Sequence, residues 1–380
     1  MTRLQASRPR EGCPRVAAPR LTPFRFAAAA LAWAAVLAAG AARGGETPWP
    51  GIRDGLVLAW PCANRPGEVV DPETGARRLL RMELRGSARF GRFFEMDPRG
   101  GFFVAAGADD AVAAACRKTH QVTLEAMMTP ADLQQAGPAA IIACGPAPDK
   151  GNFLLGQEGD RLVLRLRTSA ATPAEPLTLA RLEAGRPQHI LVAYQPGRIA
   201  CYRDGEPAAP AGAVSGDLAP WTPQTLAFGA DPAGGSPWAG TLEGIAIYNR
   251  FVGPDEAKIR FAAAAARLKD RKTAERVVVE ARLRTVTPTP APEAVAPYVR
   301  AMAAHEYEVE KVLQGRCDAK GILAAHWVIL DARILPAAWR VGDRYRLVLE
   351  RFEDHPELES ERLLMGKVKA DLPLYFDLER

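Results

Sequence analysis

Between Gly55 and Arg250 the chain is one short β-prone run after another, with a turn signal roughly every 8–12 residues. "QVTLEAMMTP" (121–130) alternates Val122, Leu124, Ala126 and Met128 on one face, the period of a strand. "GLVLAW" (55–60), "GGFFVAAG" (100–107), "AAIIACG" (139–145), "QTLAFGA" (224–230) and "WAGTLEGIAIYNR" (238–250) are of the same kind. Gly159-Asp160 and Asp204-Gly205 supply hairpin turns, because Gly and Asp tolerate the positive φ that such turns require. Helical periodicity is nearly absent before residue 254. A sheet built this way must cover its apolar faces with a second sheet, so the pattern predicts an antiparallel sandwich or barrel.

The first long helix signal is "PDEAKIRFAAAAARLKDRK" (254–272), with acidic residues in its first turn, basic ones in its last and alanines between. Beyond it, "RVVVEARLRTV" (276–286), "AAHEYEVEKVLQG" (303–315), "KGILAAHWVIL" (320–330), "DRYRLVLERF" (343–352) and "LPLYFDL" (372–378) read as five strands. Five strands in so short a segment predict a small β-barrel of oligonucleotide/oligosaccharide-binding type. The domain reading is therefore a leader at 1–42, a β-sandwich domain at 50–270 and a small β domain at 275–380.

The net charge of +5 is confined to the first 42 residues. They hold six arginines and one glutamate, and the remaining chain carries 43 basic and 43 acidic residues. Balanced charge gives no footprint for nucleic acid. Arg3 to Arg25 precede the apolar run Phe26–Ala39, followed by Ala39-Gly40-Ala41, the layout of a cleaved export signal. The expected location is secreted, periplasmic or cell-envelope, with membrane contact only if the leader stays uncleaved. Five cysteines follow the leader, with no CxxC spacing, so they read as small buried hydrophobes, with one disulfide among Cys116, Cys144 and Cys201 as the alternative.

The order of these stretches resembles the laminin G-like members of the concanavalin A-like lectin/glucanase superfamily, over roughly residues 55–270. "QVTLEAMMTP", "IIACGPAPDKGNFLLGQEGDRLVLRLRT" (141–168), "GRPQHILVAYQPGRIACYRDGEP" (185–207) and "WAGTLEGIAIYNRFVGPDEA" (238–257) carry the likeness. The third is the most recognisable, with His189 opening a strand and Tyr202-x-Asp204-Gly205 closing the return. The resemblance implies a two-sheet jelly roll. It also implies calcium as the metal to look for, held by loop oxygens at one rim. Asp109 and Asp110, read as a turn between strands, and Asp149 and Asn152 in "DKGN" are the candidate ligands.

Superfamily hydrolases place carboxylates at alternate positions along one strand, and none of the stretches here does so convincingly. Glu95-x-Asp97 lacks a third member. Glu306, Glu308 and Glu310 read as a solvated face, and "RFEDHPELESE" (351–361) reads as an exposed loop. No catalytic residue is assigned. Three of the five histidines, His305, His326 and His355, fall in the second domain without metal-ligand spacing. For a sugar, whose C–H faces pack on rings, Trp60, Trp221 and Trp238 are the candidates, the last two in loop-like "APWTPQ" and "GSPWAG". The favoured reading is an exported, non-enzymatic module that binds a polysaccharide or an extracellular protein. A glycan-active hydrolase with an atypical site and a structural subunit of an extracellular assembly are the alternatives.

Overall fold

The computed structural model describes residues 49–62, 66–147, 149–170, 176–208, 213–269, 271, 273–336 and 339–379. The expected leader and Cys13 lie outside the described residues. The segment Pro48–Arg380 packs as one compact unit.

Its first part contains β1 (Leu56–Trp60), β2 (Gly67–Val70), β3 (Arg77–Arg85), β4 (Arg89–Phe90), β5 (Met96–Asp97), β6 (Phe102–Ala106), α1 (Asp109–Thr119), β7 (Val122–Pro130), β8 (Ala139–Cys144), β9 (Phe153–Glu158), β10 (Arg161–Leu166) and β11 (Leu177–Arg181). It continues through β12 (Gln188–Gln195), β13 (Arg198–Arg203), β14 (Glu206–Pro207), β15 (Leu226–Phe228), β16 (Gly240–Tyr248) and α2 (Pro254–Lys269). One sheet runs β3-β2-β1-β16-β7-β12-β13-β14 and the other β11-β10-β9-β8-β15-β6-β3. The shared strand is β3: Arg77–Leu80 pair with β2 and Arg81–Arg85 with β6. Its charged sequence, RRLLRMELR, hid it from a pattern search, because Leu80 is the one fully buried residue along it. The two sheets bury a common apolar layer that includes Val57, Phe103, Leu124, Ile142, Ile190 and Phe228. This is the two-sheet antiparallel jelly roll expected from the sequence.

Two local features show how the chain directs it. Asp204 and Gly205 both have positive φ, 53° and 80°, so β13 and β14 meet in the tight turn that Asp-Gly favours. Asp204 Oδ1 also accepts the His189 N–H at 2.9 Å, tying that turn back to the head of β12. By contrast, the reading of Asp109 and Asp110 as a turn between strands is corrected: they open α1. Alanines give α1 its propensity, Arg117 and Lys118 complement its C-terminal dipole, and Val112, Ala113 and Cys116 are buried against the sandwich.

The second part contains β17 (Val277–Thr285), β18 (Ala301–Gln314), β19 (Gly321–Leu330), β20 (Arg333–Ile334), β21 (Arg344–Arg351), β22 (Arg362–Leu364) and β23 (Leu374–Asp377). Five of these strands close in the order β17-β18-β19-β23-β21-β17, with β19 and β23 parallel. This is the predicted small barrel. On β18, Glu308 pairs with Arg284 and Glu310 with both Arg282 and Arg344, whereas Glu306, expected on the same solvated face, is buried, with Thr285 Oγ1 and Lys369 Nζ among its partners. Among the described residues no helix is long and apolar enough to cross a membrane.

All five described cysteines are free, which corrects the disulfide alternative. Cys116, Cys144 and Cys201 are buried, and burial pushes the Cys144 and Cys201 thiols up to about 12. The folded protein should therefore be alkylated first at Cys317, the one partly exposed thiol among the described residues, and at the other four described cysteines only after denaturation. Mass spectrometry of a timed alkylation reads this directly. Early labelling at Cys116 or Cys144 would show that the sandwich core is open.

Candidate functional site

The three tryptophans expected to offer ring faces do not do so. Trp60, Trp221 and Trp238 are 8%, 0% and 1% exposed. Trp221 Nε1 donates to the Arg167 carbonyl at 2.9 Å, and Trp238 Nε1 donates to Gln157 Oε1 at 2.8 Å. A buried indole needs an acceptor for its N–H, and both have one within the sandwich, so they are plugs of the core. Trp60 stacks on Phe90 with ring centroids 5.4 Å apart and so supports, from beneath, a residue that does line a cleft.

The calcium candidates are likewise occupied by structural roles. Asp109 and Asp110 sit in the first turn of α1, where carboxylates complement the helix dipole. Asn152 is fully buried; its Nδ2 donates to the Thr222 carbonyl at 2.8 Å, and its Oδ1 accepts the Thr222 N–H at 3.3 Å. Asp149 is exposed in the adjacent loop. Among the described residues no group of three His, Cys, Asp or Glu is placed to hold a metal ion.

A polar cleft of about 590 Å³ lies where the sandwich meets the barrel. Its sandwich wall is the β4–β5 hairpin and the turn after it. Gly91 N donates to the Glu95 carbonyl and Phe94 N to the Gly91 carbonyl, closing the hairpin tip. Met96 pairs with Leu242 of β16, which anchors the hairpin to the sheet. The barrel wall comes from Arg276, from Gln314 of β18, from β21, from β23 and from His355 with the short 3-10 turn Pro356–Leu358. That last stretch was read as an exposed loop. The structure corrects this: His355 and Glu357 are 3% and 6% exposed.

Polar contacts bridge the two walls. Arg300 Nη1 donates to the Ala88 carbonyl at 2.6 Å, Arg92 Nε donates to the Asp354 carbonyl at 2.8 Å, and Gly86 N donates to Asp331 Oδ2 at 3.1 Å. Arg89 and Arg99 each direct Nη2 at the Leu378 carbonyl, at 3.3 and 3.4 Å. Both also direct Nε at one carboxylate oxygen, Asp97 Oδ2, at 3.4 and 2.8 Å. Burial, and then the neighbouring Arg99 charge, lowers Arg89 to about 10. On the opposite wall, His355 Nδ1 is 2.7 Å from Glu357 Oε1 and its Nε2 is 3.2 Å from Glu350 Oε2. The His355 ring meets Phe376 edge-on, with centroids 5.0 Å apart. Phe93, at the hairpin tip, has the Arg271 guanidinium 4.6 Å from its ring centre and that of Arg92 5.4 Å away.

The cleft therefore combines donors, acceptors and ring faces within a few side chains, at the kind of domain junction where ligands are commonly held. Glu95 adds a carboxyl that burial, and then the nearby Glu243 charge, holds above the usual carboxylate range. A second cleft, of about 410 Å³, lies between the β2–β3 hairpin and α1 and has a mainly aliphatic floor that includes Val69, Val70, Ala111 and Ala115.

Residues 106–258 match the family profile of the concanavalin A-like lectin/glucanases superfamily, in its third laminin G form. This bears out the resemblance read from the sequence, within residues 55–270. No curated protein matches the chain. Among solved structures, Trypanosoma rangeli sialidase in complex with 2,3-difluorosialic acid is 21% identical over 55% of this chain and 33% of its own, with a TM-score of 0.39. The chain thus spans about a third of the sialidase's length. Domain 4 of AbnA, an extracellular arabinanase from Geobacillus stearothermophilus in complex with arabinotriose, is 14% identical over 54% of this chain and 97% of its own, with a TM-score of 0.40. The binding domain of botulinum neurotoxin serotype D/C is 11% identical over 78% of this chain and 74% of its own, with a TM-score of 0.43.

Proposed function

We propose that the protein is an exported glycan-binding module of the cell envelope that holds an oligosaccharide in the cleft between sandwich and barrel without cleaving it. The observation that carries this reading is the lining of that cleft. Arg89, Arg92 and Arg99 offer donors on one wall, Glu350 and Glu357 offer acceptors on the other, and Phe90, Phe93 and Phe376 add apolar surface. A sugar ring needs this combination, because its hydroxyls both donate and accept while its C–H faces are apolar. The laminin G-like sandwich supports the reading at the level of fold.

The hydrolase alternative has one observation in its favour. The Leu242–Met96 pairing brings Glu243 near Glu95, whose carboxyl is held above the usual carboxylate range by burial and then by the Glu243 charge, as a general acid's would be. Glu243 is nevertheless only 7% exposed and is held by Arg271, which favours a structural role.

The expected result is that the full chain retains oligosaccharides on a glycan array and releases no reducing ends from those it retains. Reducing ends appearing with time would establish the hydrolase instead. An empty array, together with capture of a defined envelope protein, would make this a protein-interaction module.

A further inference from the structure

The two walls of the cleft differ in what they lack. On the sandwich wall, two guanidinium groups, Arg89 and Arg99, share a single carboxylate oxygen of Asp97. Arg92, on the same wall, has a buried Nη1 with no hydrogen-bond partner. Positive charge and donors are in surplus there. The barrel wall carries the acceptors: Glu350, whose Oε1 takes a bond from Arg276 at 3.3 Å, and Glu357. Glu357 has a side chain 3% exposed, and its Oε2 is buried without a hydrogen-bond partner. Its other oxygen is engaged by His355, and Glu350 stands on the far side of the same imidazole. An unpartnered buried donor and an unpartnered buried acceptor are both costly. A single ligand lining the cleft would relieve both if it presented an anion to one wall and hydroxyls to the other.

We propose that the cleft takes an acidic sugar, a hexuronate residue within a glycan, with its carboxylate toward Arg89, Arg92 and Arg99 and its ring hydroxyls donating to Glu357 and Glu350. This rests on the glycan-binding reading and narrows it. A neutral sugar would leave Asp97 as the one carboxylate shared by the guanidinium pair, whose other common acceptor is the uncharged Leu378 carbonyl. A simple anion such as phosphate would answer the arginines but would be repelled by the barrel carboxylates. A uronate answers both walls, because carboxylate and hydroxyls lie on opposite edges of one ring. Arginine is suited to the first task, since its planar fork matches a carboxylate.

The test is calorimetric titration of the full chain with two probes, trigalacturonic acid and its carboxyl-reduced, neutral counterpart, alongside the glycan array. Trigalacturonate should bind at least tenfold more tightly, and the preference should shrink as sodium chloride is raised. Arg99→Gln and Arg92→Gln should each remove most of the preference. Glu357→Gln should weaken trigalacturonate without removing the preference. Arg99 is half-exposed, so its variant should keep the wild-type circular dichroism spectrum and melting temperature. Equal binding of the two probes, no binding of trigalacturonate, or an unchanged preference in a folded Arg99→Gln protein would each overturn the assignment. If the array still retains other glycans, the glycan reading survives that failure; if the array is empty, both fall together.

Discussion

Replacing Arg260 with leucine is expected to destabilise the protein by about 3–5 kcal/mol. Arg260 belongs to α2 and is only 3% exposed. Its Nη1 lies 2.8 Å from Glu125 Oε2, its Nε donates to Glu256 Oε1 at 2.7 Å, and its Nη2 donates to the Ile52 carbonyl at 3.2 Å. Glu125, on β7, is fully buried, and its other contacts are Tyr248 Oη at 2.9 Å and His189 Nε2 at 3.0 Å. Burial alone would raise the Glu125 carboxyl. The hydrogen bond with His189 and the charges of His189 and Arg260 outweigh it and keep the group below the usual carboxylate range. The guanidinium also lies 4.2 Å from the centre of the Tyr248 ring.

Removing it leaves a buried carboxylate without its guanidinium counter-charge and removes one tie of α2 to the sheet. The cost should not be additive. Glu125→Leu combined with Arg260→Leu should lose less than the sum of the single changes, because the double variant strands no charge. Urea unfolding of the three proteins measures both numbers. A loss below about 1 kcal/mol for Arg260→Leu would mean that water reaches Glu125 and that the network is not a lock.

The barrel should lose stability in acid through His305. This residue is fully buried; its ring centre is 5.2 Å from that of His326 and 5.0 Å from that of Trp339, and its Nδ1 accepts the Thr287 N–H at 3.3 Å. Burial first, and then the neighbouring His326, lower its pKa from 6.5 to about 4. The unfolded chain therefore takes up this proton before the folded one does. The His305 contribution is complete above pH 6.5, is lost as pH falls toward 4, and levels off below that. A shift of this size corresponds to roughly 3 kcal/mol.

The groups around the pair leave little room for compensation. His326 Nε2 is 3.0 Å from the Tyr307 hydroxyl, and its Nδ1 is 3.1 Å from Asp377 Oδ2. Carboxylates elsewhere also titrate in this range, so the reading is the difference between two proteins. Wild type should lose roughly 3 kcal/mol more than His305→Phe between pH 7 and pH 4. Parallel stability curves would show that His305 is protonated within the folded barrel.

Much of the scaffold was legible because its signals are local. The alternation in 121–130 and the turn pair Asp204-Gly205 specify a strand and a hairpin from neighbours a few residues away, and the structure holds both as β7 and β12–β13–β14. The five barrel strands were legible for the same reason. Helix α1 was not, because Asp109-Asp110 suits a turn as well as a helix start, and its alanines carry propensity without an apolar period. Trp221 and Trp238 were ambiguous for a different reason. Proline and glycine neighbours are compatible with a rim or a core, and what decides is an acceptor for the indole N–H, supplied here by Arg167 and Gln157.

By itself the sequence determined an all-β chain of two parts joined by a helix, because period, propensity and turn chemistry act between residues close along the chain. Only the tertiary structure decided which polar side chains meet in one cleft. Arg89 and Asp97 lie near residue 90, while Glu350, His355 and Glu357 lie more than 250 positions later, in a stretch that by charge alone resembles a solvated loop. Docking the barrel against the β4–β5 hairpin sets Arg89, Arg92 and Arg99 across one cleft from Glu350, His355 and Glu357. Charges that would each be solvated on a separate domain are desolvated together here, and the distance along the chain carries no trace of that encounter.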